Sequence, residues 1–125
     1  MTTNESLTYE QAVEELGRSI PDLQEACERE REWWGTETPG PHVFYHAVFV
    51  PYLEERLARD DDTVATSLRR VFGFVERLAT STDDRLRDLV GVTICKPLLG
   101  DHVRLGRAKS YMGPATLRIL KEAQR

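Results

Sequence analysis

The chain has 125 residues, 40% hydrophobic and 30% charged, with a formal net charge of −4. That length and mix define one globular domain and exclude disordered and fibrous classes; a core of this size needs neither disulfide nor metal to fold. A pI of about 5.4 is also too acidic for an ordinary nucleic-acid-binding domain.

Helical periodicity dominates from the first residues onward. Tyr9, Ala12, Val13 and Leu16 share one helical face, with Thr8 placed to cap it and an end near Ser19. Pro21 suits the first turn of a second helix, whose apolar face is Leu23, Ala26 and Cys27 and which ends at Trp33-Trp34-Gly35. Thr36 to Pro41 holds two prolines and a glycine and reads as a loop. Residues 42–59 are the most apolar stretch. Their β-branched and aromatic content would suit a strand, but the run continues into the helical spacing of Tyr52, Leu53 and Leu57, so a helix is expected, with Pro51 as a kink or junction. Asp60-Asp61-Asp62 closes it and caps the next helix.

Over 63–80, Val64, Leu68, Val71, Phe72, Val75, Leu78 and Ala79 form a wide core-facing stripe. A capped turn follows at residues 80–84. Residues 83–99 repeat the helical spacing with apolar residues nearly all round, which predicts a central helix. Gly100 ends it, Asp101 caps a short basic helix over 102–109, and Ser110 to Pro114 breaks the chain before a last helix over 115–123 with Leu117, Ile119 and Leu120 inward. The expected fold is all-α: a single domain, residues 1–125, of six or seven helices in antiparallel αα-hairpins. An acidic helical pair (1–40) precedes central hairpins (41–125). The pairing of 42–59 with 63–80 and of 83–99 with 102–123 suits HEAT-like α-solenoid stacking, and an irregular bundle is the competing form.

No apolar run approaches the roughly 20 residues of a membrane span. Met1 to Ser6 lacks the charged and apolar regions of a secretory signal. Cys27 and Cys95 lie in no CxxC pair and read as buried free thiols of a reducing compartment, so a cytoplasmic protein without a cofactor is expected.

The stretches Pro51-Tyr52-Leu53-Glu54-Glu55, Phe72-Gly73-Phe74-Val75-Glu76-Arg77, Pro97-Leu98-Leu99-Gly100 and Tyr111-Met112-Gly113-Pro114-Ala115-Thr116 together resemble a family of small bacterial all-helical proteins known as a domain of unknown function. The resemblance covers about residues 40–120 and implies an all-α fold. It brings no activity and no functional residues.

The candidate site residues come from charge, aromatics and histidine spacing. Residues 1–40 carry ten acidic and three basic side chains, whereas residues 85–125 carry three acidic and nine basic. Such ends either neutralise each other or steer a charged partner. Trp33 and Trp34 are neighbours on a helix and point about 100° apart, so one is expected in the core and the other exposed, as interface anchors are. His42 and His46 share a helix face at metal-ligand spacing. The zincin pattern needs a Glu after the first His, where Val43 stands. The other readings are half-buried histidines bonded to neighbours, or a polar pocket. Glu54, Glu55 and Glu76 are the acids of the apolar central helices. Arg69, Arg70, Lys96, Arg104, Arg107, Lys109 and Arg118 could form a basic surface, but no nucleic-acid-binding signature accompanies them. Nucleotide-loop, nucleophile-elbow and catalytic-cysteine patterns are missing too.

These features point to a small non-enzymatic module that docks a protein partner, an immunity-type toxin neutraliser being one concrete form. Its candidate surface gathers Trp33, Trp34, His42, Tyr45 and His46 with Glu54, Glu76, Arg104 and Arg107. The alternative is a small-molecule or metal-dependent enzyme using His42, His46 and a glutamate, and a third reading is a structural subunit acting as a homodimer.

Overall fold

The computed structural model describes residues 7–59 and 61–124, so Met1 to Ser6 and the expected cap at Asp60 lie outside the described residues. Seven α-helices occur among the described residues, with no strand. α1 is Ala12–Ser19, entered through a 3₁₀ turn at Tyr9–Gln11, and α2 is Gln24–Trp34, entered through a 3₁₀ turn at Pro21–Leu23. α3 is Pro41–Ala58 and α4 is Thr63–Ala79. α5 spans 84–98 as one helix with a π segment at Val90–Cys95, α6 is His102–Lys109, and α7 is Pro114–Ala123. The expected all-α single domain is what the chain forms.

Local chemistry explains most boundaries. The Thr8 N–H donates to Gln11 Oε1 at 3.0 Å, closing the first turn. Pro41 and Pro114 each occupy the first turn of a helix, where a missing N–H is no loss. Asp101 accepts the N–H groups of Val103 and Arg104, and Asp83 accepts that of Arg85, as N-caps do. Before α4 the working cap is Asp61, which accepts the Thr63 N–H at 3.0 Å and also its hydroxyl. Gly35 is the one described residue with positive φ, +66°, and it ends α2.

α3 runs unbroken through Pro51, so this proline is neither a junction nor a helix end. Phe44, Tyr45, Val48, Phe49, Leu53 and Leu57 are all buried on it. α3 touches α1, α2, α4, α5 and α6, so the molecule is built around this helix. In a solenoid each unit touches only its neighbours; the contacts here are those of an irregular bundle. His42 lies beside Asp88 and Thr93, while further along α3 Glu54 faces Arg104 and the Leu57 carbonyl meets Arg107. α5 and α6 therefore follow one another along α3, and the chain turns back only at α7, which packs on α4 and on the π segment.

Four details depart from the periodicity. Phe74 is buried along with the expected stripe of α4, because α4 meets α3, α5 and α7 and so must cover more than one face. Leu117 is 39% exposed rather than inward, while Ala115, Thr116 and Leu120 form the buried side of α7. Val92 is 44% exposed, so α5 keeps one face open. The π segment carries the i→i+5 bond from the Lys96 N–H to the Gly91 carbonyl. A β-carbon at Gly91 would sit 3.3 Å from Ile119 Cγ2, so glycine lets α7 approach α5 closely.

The segment before α1 is tied to the turn between α4 and α5. Ser81 donates its hydroxyl to the Leu7 carbonyl at 2.7 Å, and the Tyr9 N–H donates to Asp83 at 2.9 Å. The Arg85 guanidinium and the Tyr9 N–H hold the Asp83 carboxyl down at about 2. A folded pKa below the unfolded value of about 3.9 stabilises the fold above that value. This contribution should fade as pH falls from about 4 toward 2, and Asp83→Asn should flatten the stability-versus-pH curve across that window. Urea midpoints measured over that range check it, and an unchanged curve would leave Asp83 no part in acid stability.

Candidate functional site

Trp33 is 76% exposed, the most exposed large hydrophobic side chain among the described residues. It is braced rather than loose: the Trp34 ring meets it edge-on with centroids 5.3 Å apart, and the Trp34 Nε1–H donates to Glu30 Oε2 at 2.9 Å. Neither tryptophan belongs to the core. Trp34, the last residue of α2, is half-buried.

Trp33 stands at the rim of a groove of about 770 Å³ between α2 and α3. Ala26 and Arg29 line it from α2, and Ala47, Val48, Pro51 and Tyr52 from α3. Val43, one turn before Ala47, is 51% exposed. Val43, Ala47 and Pro51 recur every four residues, so they form a second apolar stripe on α3 outside the core stripe. Pro51 offers no N–H to the Ala47 carbonyl one turn back, which leaves that acceptor for water or a partner on the groove wall. At the other end the Tyr52 hydroxyl donates to Asp22 at 2.9 Å and the Arg56 guanidinium lies 4.5 Å over its ring. Burial and the bond to Asp22 push the Tyr52 phenol up, so it stays a neutral donor.

Tyr45 is no part of any surface. It is fully buried, it donates its hydroxyl to the Ala12 carbonyl at 2.7 Å, and its ring is tilted against Phe49. Its place on the inner stripe of α3, next to Phe44, dictates this. His46 is exposed. His42 is half-buried, with Nδ1 2.6 Å from the Thr93 hydroxyl and Nε2 3.6 Å from Asp88. Glu54 lies twelve residues from His42 on the same helix, about 18 Å along its axis, and it faces Arg104 at 3.9 Å instead. Among the described residues no three His, Cys, Asp or Glu side chains are grouped to hold a metal ion.

Glu76 turns its carboxylate onto the start of α7. It accepts the Ala115 N–H at 2.9 Å, the Thr116 N–H at 3.0 Å and the Thr116 hydroxyl at 2.8 Å. It is a cap supplied from another helix. Burial pushes its carboxyl up, but the donors from Ala115 and Thr116 outweigh that and hold it below the usual range. Arg107 donates to the Leu57 carbonyl at 2.7 Å and the Arg59 carbonyl at 3.2 Å, closing the C-terminal end of α3. Arg104 lies near Asp101 as well as Glu54. The acidic and basic ends of the chain meet where Arg85 pairs with Glu10 at 2.9 Å, whereas Glu25, Glu28 and Glu32 of α2 face solvent. Cys27 and Cys95 are free and buried, and burial pushes the Cys95 thiol up to about 12, so neither is a nucleophile.

The fold and this surface define a single-domain all-α protein whose exposed features are a tryptophan-rimmed groove and helix-capping charges. The chain belongs to the family described as a domain of unknown function (DUF7674), whose model matches residues 13–125. No curated protein and no solved structure is a match to it. Two of the stretches behind the resemblance meet in space, since Glu76 of one caps the helix that begins in the other. No helix among the described residues is long and apolar enough to cross a membrane.

Proposed function

We propose that this chain is a non-enzymatic, cytoplasmic protein-binding module that seats an amphipathic helix of its partner in the groove between α2 and α3. An immunity-type protein of a bacterium is one concrete form. The observation that carries this reading is Trp33, 76% exposed at the rim of an apolar groove and held upright by Trp34. Tryptophan at such a position is the residue type that dominates binding energy at interfaces. Two neighbouring helices with an apolar stripe along their seam form the groove that a third helix fills. The solvent-facing acids of α2 would steer a partner with a basic flank and make capture sensitive to salt.

Trp33→Ala is expected to leave the melting temperature within about 1 °C, since the residue is 76% exposed and no part of the core. It should also abolish capture of a stoichiometric partner from host lysate at low salt. A melting temperature several degrees lower, or capture unaffected by the change, would rule the groove out. A second reading, a small-molecule site around His42, is favoured by the 2.6 Å contact between His42 and the Thr93 hydroxyl within the π segment. Such wide turns recur at functional sites. That reading calls for metabolite-induced shifts of the His42 ring protons.

A further inference from the structure

A second concave surface shares no residue with the Trp33 groove. It is a cleft of about 490 Å³ between α4 and the turn at residues 110–113. Arg69, Gly73 and Glu76 line it from α4, and Ser110, Tyr111 and Gly113 from the turn, with Phe72 buried behind the half-buried Tyr111 ring. The two rings are nearly parallel, 13° between planes and 6.3 Å between centroids.

Gly73 is what the fold leaves unexplained. It sits in the middle of the 17-residue helix α4, where glycine is less stable than alanine. At Gly17, Gly91 and Gly113 an added β-carbon would meet a neighbour, but at Gly73, as at Gly106 within α6, it would meet nothing within 4 Å, and of these two helical glycines Gly73 is the one that lines this cleft. The packing of this chain therefore does not require glycine there. A missing side chain in the lining of a cleft is the condition for something outside the chain to lie flat against the helix.

The charges say what kind of group that is. Arg69, one turn before Gly73, has no ion-pair partner among the described residues. The Glu76 carboxylate at the far end is turned away onto Ala115 and Thr116. An unpaired guanidinium fork matches a carboxylate in two-point geometry. Gly73 and the Tyr111 ring suit a flat apolar group attached to it. We propose that the cleft between α4 and the 110–113 turn binds a carboxylate carried on a planar apolar group, the carboxylate on Arg69 and the flat group over Gly73 against Tyr111. Two sources carry that chemistry: a free aromatic acid, and the C-terminal aromatic residue of a peptide.

The test is amide chemical-shift titration of the full chain with three probes. These are phenylpropionate, the tripeptide acetyl-Ala-Ala-Phe with a free C-terminus, and the same peptide amidated. Shifts confined to residues 69–76 and 110–113 are expected with phenylpropionate, with the free-acid peptide or with both, and the tighter of the two names the source. The amidated peptide should bind at least about tenfold more weakly. Arg69→Gln should weaken binding about tenfold with an unchanged melting temperature. Gly73→Ala should abolish binding while raising the melting temperature by about 2–4 °C, because helix propensity improves and nothing is displaced. The proposal is overturned if no probe shifts these residues at millimolar concentration, if the amidated peptide binds as well as the acid, or if Gly73→Ala binds normally. It is also overturned if inorganic phosphate binds as tightly as phenylpropionate, since the flat group would then contribute nothing.

Discussion

Glu76→Ala is expected to lower the unfolding free energy by about 2–3 kcal/mol, an effect of the size that losing a charged cap with several donors produces. The carboxylate satisfies two backbone N–H groups and one hydroxyl at the start of α7, and it does so from α4. Its removal strips the α7 terminus of its anion and loosens a contact between distant parts of the chain at once. Glu76→Gln keeps the shape and should cost less. The pH dependence follows from the direction of the carboxyl. Because its folded pKa is depressed, the stabilisation is present above the unfolded value of about 4.3 and is lost as pH falls through the folded value. Urea unfolding at neutral pH and below pH 4 should therefore show the variant and the parent converging in acid. A gap that persists unchanged would mean that the charge is irrelevant.

The partner in this contact supplies a sharper check. Gly113 has an ordinary backbone, φ −79°, so alanine there meets no conformational strain. Its β-carbon would come within 2.9 Å of Glu76 Cγ and closer still to the carboxylate. Gly113→Ala should thus destabilise by about 1–3 kcal/mol, as overpacking does. Combined with Glu76→Ala the clash vanishes, so the double variant should be no less stable than Glu76→Ala alone. Additive losses in this double-mutant cycle would refute the contact as the cause.

Tyr45→Ala is expected to have the largest effect of any substitution considered, about 3–5 kcal/mol, the range for emptying an aromatic side chain from a packed core. Tyr45 is fully buried on α3 and joins it to α1 through the Ala12 carbonyl. Tyr45→Phe should cost only about 0.5–1.5 kcal/mol, one hydrogen bond, because the ring volume is kept. The ratio between the two separates packing from hydrogen bonding. If both variants lose the same amount, the hydroxyl rather than the ring holds α1 in place. Burial raises the Tyr45 phenol well above its usual range, so the residue stays a donor at any pH at which the protein folds.

Much of the architecture was legible along the chain. Helix count, the helix ends at Gly35 and Gly100, the caps at Thr8 and Asp101, the capped turn at residues 80–84 and the stripe of α4 depend on residues within one or two turns, and that information is carried locally. The free state of Cys27 and Cys95 was equally plain. The exposed tryptophan was foreseen as one of a pair, because two neighbours on a helix cannot face one core. The other member was expected inside and is only half-buried.

What could not be read was set by contacts between residues far apart. Tyr45 and His46 are adjacent letters of one apolar run, yet one is fully buried and the other exposed, and only the helices placed around α3 decide which. Glu76 stood among the acids of a candidate partner surface, and only the start of α7 against it makes it a cap. Arg107 looked like surface charge until the end of α3 was seen beneath it. Val43, Ala47 and Pro51 already stand at helical spacing in the sequence, but periodicity cannot tell a covered stripe from an open one. The local code names helices, turns and caps because backbone hydrogen bonds span three to five residues. Which faces remain for a partner is decided by packing, which sums over the whole chain.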